Sequence, residues 1–205
     1  MTDEPDRCRG AGVLDDVVHR EKWRRALGLL DTLAKWQLRA PVVVADAGYG
    51  VSTAFRLGLQ ERGLSHVLAL NGKEVAHPED AEPHRPAYGG LGPPVLPRHR
   101  APPRVVCVLA AQAGAERFSE VTCRQASKGA MTSRFAVLTV RPAGKQSLAA
   151  AQKAGGGRNR WDGVLPVQTL LVQWPDGQDT RTDYWIPNLP ATTPASNPAA
   201  PGSHG

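Results

Sequence analysis

The chain has 205 residues and is short of cysteine, of aromatic residues and of long apolar runs, and each shortage excludes something. Its three cysteines, Cys8, Cys107 and Cys123, stand far apart and form no CxxC pair. Neither a disulfide framework nor a zinc site follows from that spacing, so they read as buried or idle thiols. No apolar run approaches the ~18 residues of a membrane span. The opening residues, MTDEPDRCRG, are too polar and acidic for a secretory signal. A soluble, intracellular protein is expected. Aromatics make up only 5% and hydrophobic residues 41%, a little under the globular norm, and the length allows one domain, or one domain carrying an insertion.

What the chain has in quantity is glycine and proline, 21 and 18 respectively, so much of it must be turn and loop. Its formal charge of +6 favours contact with a polyanion through phosphate neutralisation.

The most informative stretch is Pro41 to Leu70, PVVVADAGYGVSTAFRLGLQERGLSHVLAL. Val42, Val43 and Val44 run without alternation, the pattern of a strand buried on both faces. Asp46 ends that strand, and Ala47 to Gly50 make a turn. Ser52 or Thr53 can cap a helix with apolar positions Ala54, Phe55, Leu57 and Leu59, stopped at Gly63. His66 to Leu70 is the next strand. This order predicts a right-handed parallel crossover and an α/β fold class, with Asp46 at the carboxyl end of the first strand, where ligands collect in open α/β sheets.

Before it, Trp23, Ala26, Leu27, Leu30, Leu33 and Ala34 follow helical spacing, predicting about five turns from Asp16 to Gln37. Asp15 or Asp16 would cap that helix, Pro41 would forbid its continuation, and one face would lie on a sheet. After Lys73 the pattern is lost among prolines 78, 83, 86, 93, 94, 97, 102 and 103. That stretch reads as a loop or linker. Its His77, His84, His99, Arg85, Arg98 and Arg100 suit either a solvated loop or contact with a nucleic-acid backbone. Arg104 to Ala113 is apolar, strand or helix undecided. Phe118–Arg124, Ser133–Val140, Thr169–Trp174 and Thr182–Leu189 read as antiparallel strands, with a hairpin signal at Asp176-Gly177. The resulting divisions are a disordered lead-in over 1–15, a core over 16–73, a Pro/Gly-rich loop over 74–104, a β-rich region over 105–190 and a disordered tail over 191–205.

Among chemical candidates, Asp46 is placed either to hold a divalent metal against phosphate oxygens or to cap the following helix. The turn DAGYG has neither the GxxxxGK[ST] spacing of a phosphate loop nor a GxGxxG or GxSxG pattern. Gly155-Gly156-Gly157 reads as a connector. Trp23, Trp174 and Trp185 read as core rather than as base-stacking platforms. Lys128 and Arg134, in the basic run KGAMTSR, are candidate nucleic-acid contacts, with a solvated hairpin face as the alternative.

The segments EKWRRALGLLDTLAKW, APVVVADAGYG, FRLGLQERGL and HVLALNGK, in that order, resemble the DDE-type transposases of bacterial insertion sequences, the DDE superfamily endonuclease group. AYGGLGPP, VTCRQASKGAMTSRFAVLTVRPA, LLVQWPDG and TDYWIPNLP extend the resemblance to roughly Val17–Pro194. It implies a ribonuclease H-like fold with a β-rich insertion, binding of element-end DNA, and three carboxylates holding two Mg²⁺ ions. Asp46 corresponds to the second carboxylate. The first would lie on a strand before the Val17–Gln37 helix and the third in a helix beyond the YW…NLP strand; neither motif is found, and Glu116, Glu120 and Asp162 do not match the third. The resemblance therefore implies an internal fragment, inactive in strand transfer and located in the bacterial cytoplasm at the nucleoid. A non-catalytic DNA-binding regulator of a full-length transposase is the alternative. An unrelated hydrolase using Asp46 on a small phosphorylated substrate stands behind both.

Overall fold

The computed structural model describes residues 10–12, 20–90, 95–126, 129–175, 177 and 180–189; for 123–126 and 129 only the backbone is described. The predicted caps Asp15 and Asp16, the lead-in through residue 9, Lys128 and the 191–205 tail lie outside these residues. The chain forms two compact units, Met1–Ala40 and Pro41–Gly205.

The described element of the first unit is helix α1, Lys22–Lys35. Leu27 is buried, and Trp23, Ala26, Leu30 and Leu33 are half-buried along one stripe, as the spacing predicts, while Ala34 is exposed. The helix ends before Pro41 has any influence. Gln37 turns to φ 60°, and the amides of Gln37 and Leu38 bond back to the carbonyls of Ala34 and Leu33. This is a Schellman stop with glutamine where glycine is usual.

The second unit is built on one eight-stranded sheet. Its elements are β1 (Val43–Ala45), the single helical turn α2 (Ala47–Gly50), α3 (Thr53–Glu61), β2 (His66–Leu70), β3 (Val75–Pro78), β4 (Arg104–Val105) and α4 (Val106–Gln112). A 3₁₀ turn at Ala115–Arg117 leads to β5 (Ser119–Ala126), β6 (Gly129–Pro142), α5 (Lys145–Ala154), β7 (Gln168–Pro175) and β8 (Asp183–Pro187). The order is β1-β2-β8-β7-β6-β3-β4, with β5 pairing with β6.

β1 and β2 pair in parallel, Val43 opposite His66 and Ala45 opposite Leu68. Every other ladder among the described residues is antiparallel, so the fold is mixed α/β with a mostly antiparallel sheet. β2 pairs directly with β8, Leu68 opposite Ile186, so residues on either side of the Pro/Gly-rich stretch share one sheet.

β1 differs from the expectation of a doubly buried strand. Among the described residues it is an edge strand, pairing with β2 alone, and Val44 is 72% exposed. An apolar run reports that a strand is meant to be covered but not by what; among the described residues no second strand pairs with its outer edge.

The main core lies where β3, β6, β7 and β8 meet α4, around Ala76, Val106, Leu109, Ala110, Val140, Leu170, Val172 and Tyr184. Leu59 of α3 and Leu68 of β2 are completely buried. Burying a leucine contributes roughly 1.5–3 kcal/mol, which is how α3 is held to the sheet. The undecided segment 104–113 resolves into two strand residues followed by α4. Helix α5, KQSLAAAQKA, was not anticipated; alanine-rich sequence without a strong apolar stripe carries little periodic signal. It closes into the Gly155–Gly157 turn, where Gly156 and Gly157 adopt φ of 83° and 99°.

Candidate functional site

The site begins with Asp46 leaving β1. Its backbone is extended, and its carboxylate accepts a 2.9 Å hydrogen bond from the Gly48 amide, so it caps α2. Of the two roles open to it on sequence grounds, capping is the one the geometry displays. The side chain is exposed, and Oδ1 is the oxygen that bonds to Gly48.

α2 is pressed against β2. A Cβ at Gly50 would stand 1.8 Å from the Ala69 carbonyl oxygen, so only glycine fits. Ser52 then caps α3 by accepting from the Phe55 amide at 3.2 Å. The Ser52 cap is as the sequence predicts, and the Asp46 cap explains why Ala47–Gly50, expected as a turn, forms a helical turn of its own.

The helix face beneath is held by a residue that sequence reading passed over. Arg56 is 5% exposed and donates to the Gly50 carbonyl and to the Thr53 hydroxyl, the latter at 3.0 Å. Thr53 in turn contacts Ser147 at 3.2 Å and, through its amide, Gln146 at 3.1 Å, tying α3 to α5. Burial lowers the Arg56 pKa, partly opposed by the Glu74 carboxylate. Arg56 thus braces the turn that Asp46 opens. The one signal for it was a cation inside an otherwise apolar helical face.

His66, on β2 beside β1, is 2% exposed and its Nδ1 has no hydrogen-bond partner. Burial lowers its pKa, the Leu64 carbonyl opposes this, and the Arg56 cation adds to it. Neutral imidazole is the form this position favours.

Two Mg²⁺ ions need several oxygen ligands each, with carboxylates shared between them. Among the described residues no group of three or more His, Cys, Asp or Glu side chains is placed to hold a metal. The described residues do not make a two-metal centre.

The other sequence candidates fall elsewhere. Arg134 lies on β6, opposite Trp174 of β7, and its guanidinium rests 3.8 Å above the indole. Arg181 covers the same ring at 4.2 Å, and Phe118 meets it edge-on at 5.5 Å. Trp174 is therefore packed against the core, as expected, and Arg134 is stacked upon it. Cys107 is a free, half-buried thiol.

Residues 1–130 match the sequence profile of the DDE superfamily endonucleases. The chain belongs to that family. A comparison with curated proteins finds no match. For a DDE superfamily endonuclease the activity is transposase-like, the substrate is DNA, and divalent metal ions are generally used. The matched span contains the two caps, Asp46 and Ser52, and the Arg56 brace. No helix among the described residues is long and apolar enough to cross a membrane.

Proposed function

We propose that this chain is the partial DDE domain of an insertion-sequence transposase, its core a ribonuclease H-like strand-helix-strand unit, with Asp46 as one carboxylate of a Mg²⁺ site. The observation that carries this reading is the position of Asp46. It ends β1, beside a parallel β2, within the residues that match the family. When bound, Mg²⁺ would polarise the scissile phosphate. The protein's contribution at this point is to hold one carboxylate on a turn fixed by Gly50 and Arg56.

The other two carboxylates are not at the site among the described residues, and catalytic groups that act as a unit lose most of their rate when members are missing. The chain alone is therefore expected to neither nick nor join element-end DNA. Incubating it with labelled terminal-repeat duplex and Mg²⁺ tests this. Robust cleavage by the wild type that vanishes in Asp46→Asn would overturn the inactive reading while supporting the site.

The net charge of +6 favours a second reading, a non-catalytic DNA-binding regulator that titrates element ends or a full-length transposase inside the bacterial cell. Binding that weakens steeply with salt, without cleavage, is its signature.

A further inference from the structure

The Pro/Gly-rich stretch that reads as a loop or linker is closed on itself by two contacts and joined to the sheet through β3 and β6. His84 and Arg98 form a β-bridge with backbone bonds of 2.9 and 3.2 Å. The His99 ring stacks on His77 of β3 with centroids 4.1 Å apart. Arg100 reaches the His84 ring at 3.0 Å. Arg141 of β6 donates to the carbonyls of Glu79 and Leu165, locking both flanks.

Between this stretch and the end of α5 runs a groove of about 720 Å³. Its apolar wall includes Pro97, Leu148 and Trp161, the last held by its indole N–H on the Val164 carbonyl at 3.0 Å. Arg98, Arg100 and Arg158 line it, all three exposed, and among the described residues no aspartate or glutamate does. The contrast with nearby Arg85 is instructive: it is ion-paired with Asp162 at 3.5 Å and is not part of the lining. Three exposed arginines, with no acid beside them among the described lining residues, present planar guanidinium donors that suit phosphate geometry, Arg100 with one nitrogen already on the His84 ring.

We propose that this groove binds the phosphodiester backbone of duplex DNA, as a second contact separate from the Asp46 end of the sheet. β1 and β3 are five strands apart in the sheet order, roughly 24 Å at about 4.8 Å per step. One duplex longer than about 7 base pairs, at ~3.4 Å each, is long enough to cover that separation. The inference rests on the DNA-directed function proposed above and adds the surface that would hold the DNA.

The test is fluorescence anisotropy of a labelled 25-base-pair duplex titrated with the full chain from 50 to 200 mM salt. Arg98→Ala/Arg100→Ala/Arg158→Ala should reduce the slope of log affinity against log salt by about 2 to 3, since each phosphate contact contributes ~0.9. Lys22→Ala/Arg25→Ala/Lys35→Ala, which removes equal charge from α1, should change it by less than half as much. Equal losses in the two triples, or no loss in the groove triple, would overturn the groove while leaving DNA binding intact. A wild type that binds no duplex at 50 mM salt would overturn the DNA-directed reading along with the groove. Displacement of the duplex by polyglutamate as readily as by unlabelled duplex would assign the groove to an acidic protein partner and overturn the proposal.

Discussion

Gly50 lies so close to Ala69 that a Cβ there would come within 1.8 Å of the Ala69 oxygen and 2.9 Å of its carbonyl carbon. The single turn α2 is thereby seated on the backbone of β2, and Asp46, which caps α2, is positioned by the same contact.

Gly50→Ala is a substitution for which helix propensity and packing oppose each other. Alanine in a helix gains up to about 1 kcal/mol over glycine. Overpacking against backbone that cannot step aside costs about 1–3 kcal/mol and more where nothing yields. With a contact this close the cost lies at the upper end and outweighs the gain, so a net destabilisation of about 2 kcal/mol is expected, read as a lower urea midpoint. An unchanged or higher midpoint would show that α2 is not seated on Ala69.

Arg56→Lys should also destabilise, although the charge is kept. An ammonium cannot donate in a fork to both the Gly50 carbonyl and the Thr53 hydroxyl, so one buried acceptor is left unmade. The expected loss is about 1–3 kcal/mol. Loss of amide protection from hydrogen exchange at residues 46–56 would localise it, and uniform loss across the sheet would contradict the bracing role.

Asp46→Ala and Asp46→Asn should separate the cap from the charge. Removing the bond to Gly48 costs about 0.5–2 kcal/mol, whereas asparagine caps nearly as well as aspartate. Thermal denaturation should therefore rank wild type and Asp46→Asn together and Asp46→Ala below. Two equally destabilised variants would mean that the negative charge, and not the hydrogen bond, holds α2.

Stability should fall on mild acidification. His66, His77 and His99 all titrate below the ordinary value of 6.5, in each case first because burial penalises the imidazolium. Nearby charge adds to this: Arg56 at His66, His99 at His77, and Arg141 at His99; the Leu64 carbonyl at His66 and backbone at Glu82 and Gly163 at His99 act in the other direction. Below 6.5 the unfolded chain binds protons that the folded one resists, so stability is full above 6.5 and is lost as pH falls toward the depressed folded values. Urea midpoints at pH 7.5 and 5.5 measure this. His77→Gln/His99→Gln should shrink the drop, and a midpoint that does not move would contradict neutral burial.

Legibility followed periodicity and turn chemistry. The α1 stripe, the Ser52 cap, the Gly63 stop and the strands from β5 to β8 were readable because each leaves a local mark: 3.6-residue spacing, a short polar side chain before a helix, or a β-branched run between turns. Gly63 does turn to φ 60°, with the Leu64 amide bonding to the Leu59 carbonyl. β3 and α5 left no such mark and were missed. The candidate site was half readable: Asp46 stands out as an acid ending an apolar run, whereas a cation on an apolar helical face does not say that Arg56 bonds to Gly50 and Thr53. Lys128 and Arg134 were chosen for their charge, which says nothing of the Trp174 indole that covers Arg134.

By itself, then, the sequence determined the family, because the order of VVVADAGYG, FRLGLQERGL and HVLALNGK is preserved in the chain however it folds. Only the tertiary structure decided that β2 and β8 share a ladder, that β1 is an edge, and that the Pro/Gly-rich stretch is tied to β3 and β6 beside α5. Those outcomes depend on which distant segments bury one another, as with His66 and Asn188, whose hydrogen bond spans 122 positions. No local pattern carries contacts of that range, since side-chain spacing encodes which face of an element is covered and not which partner covers it.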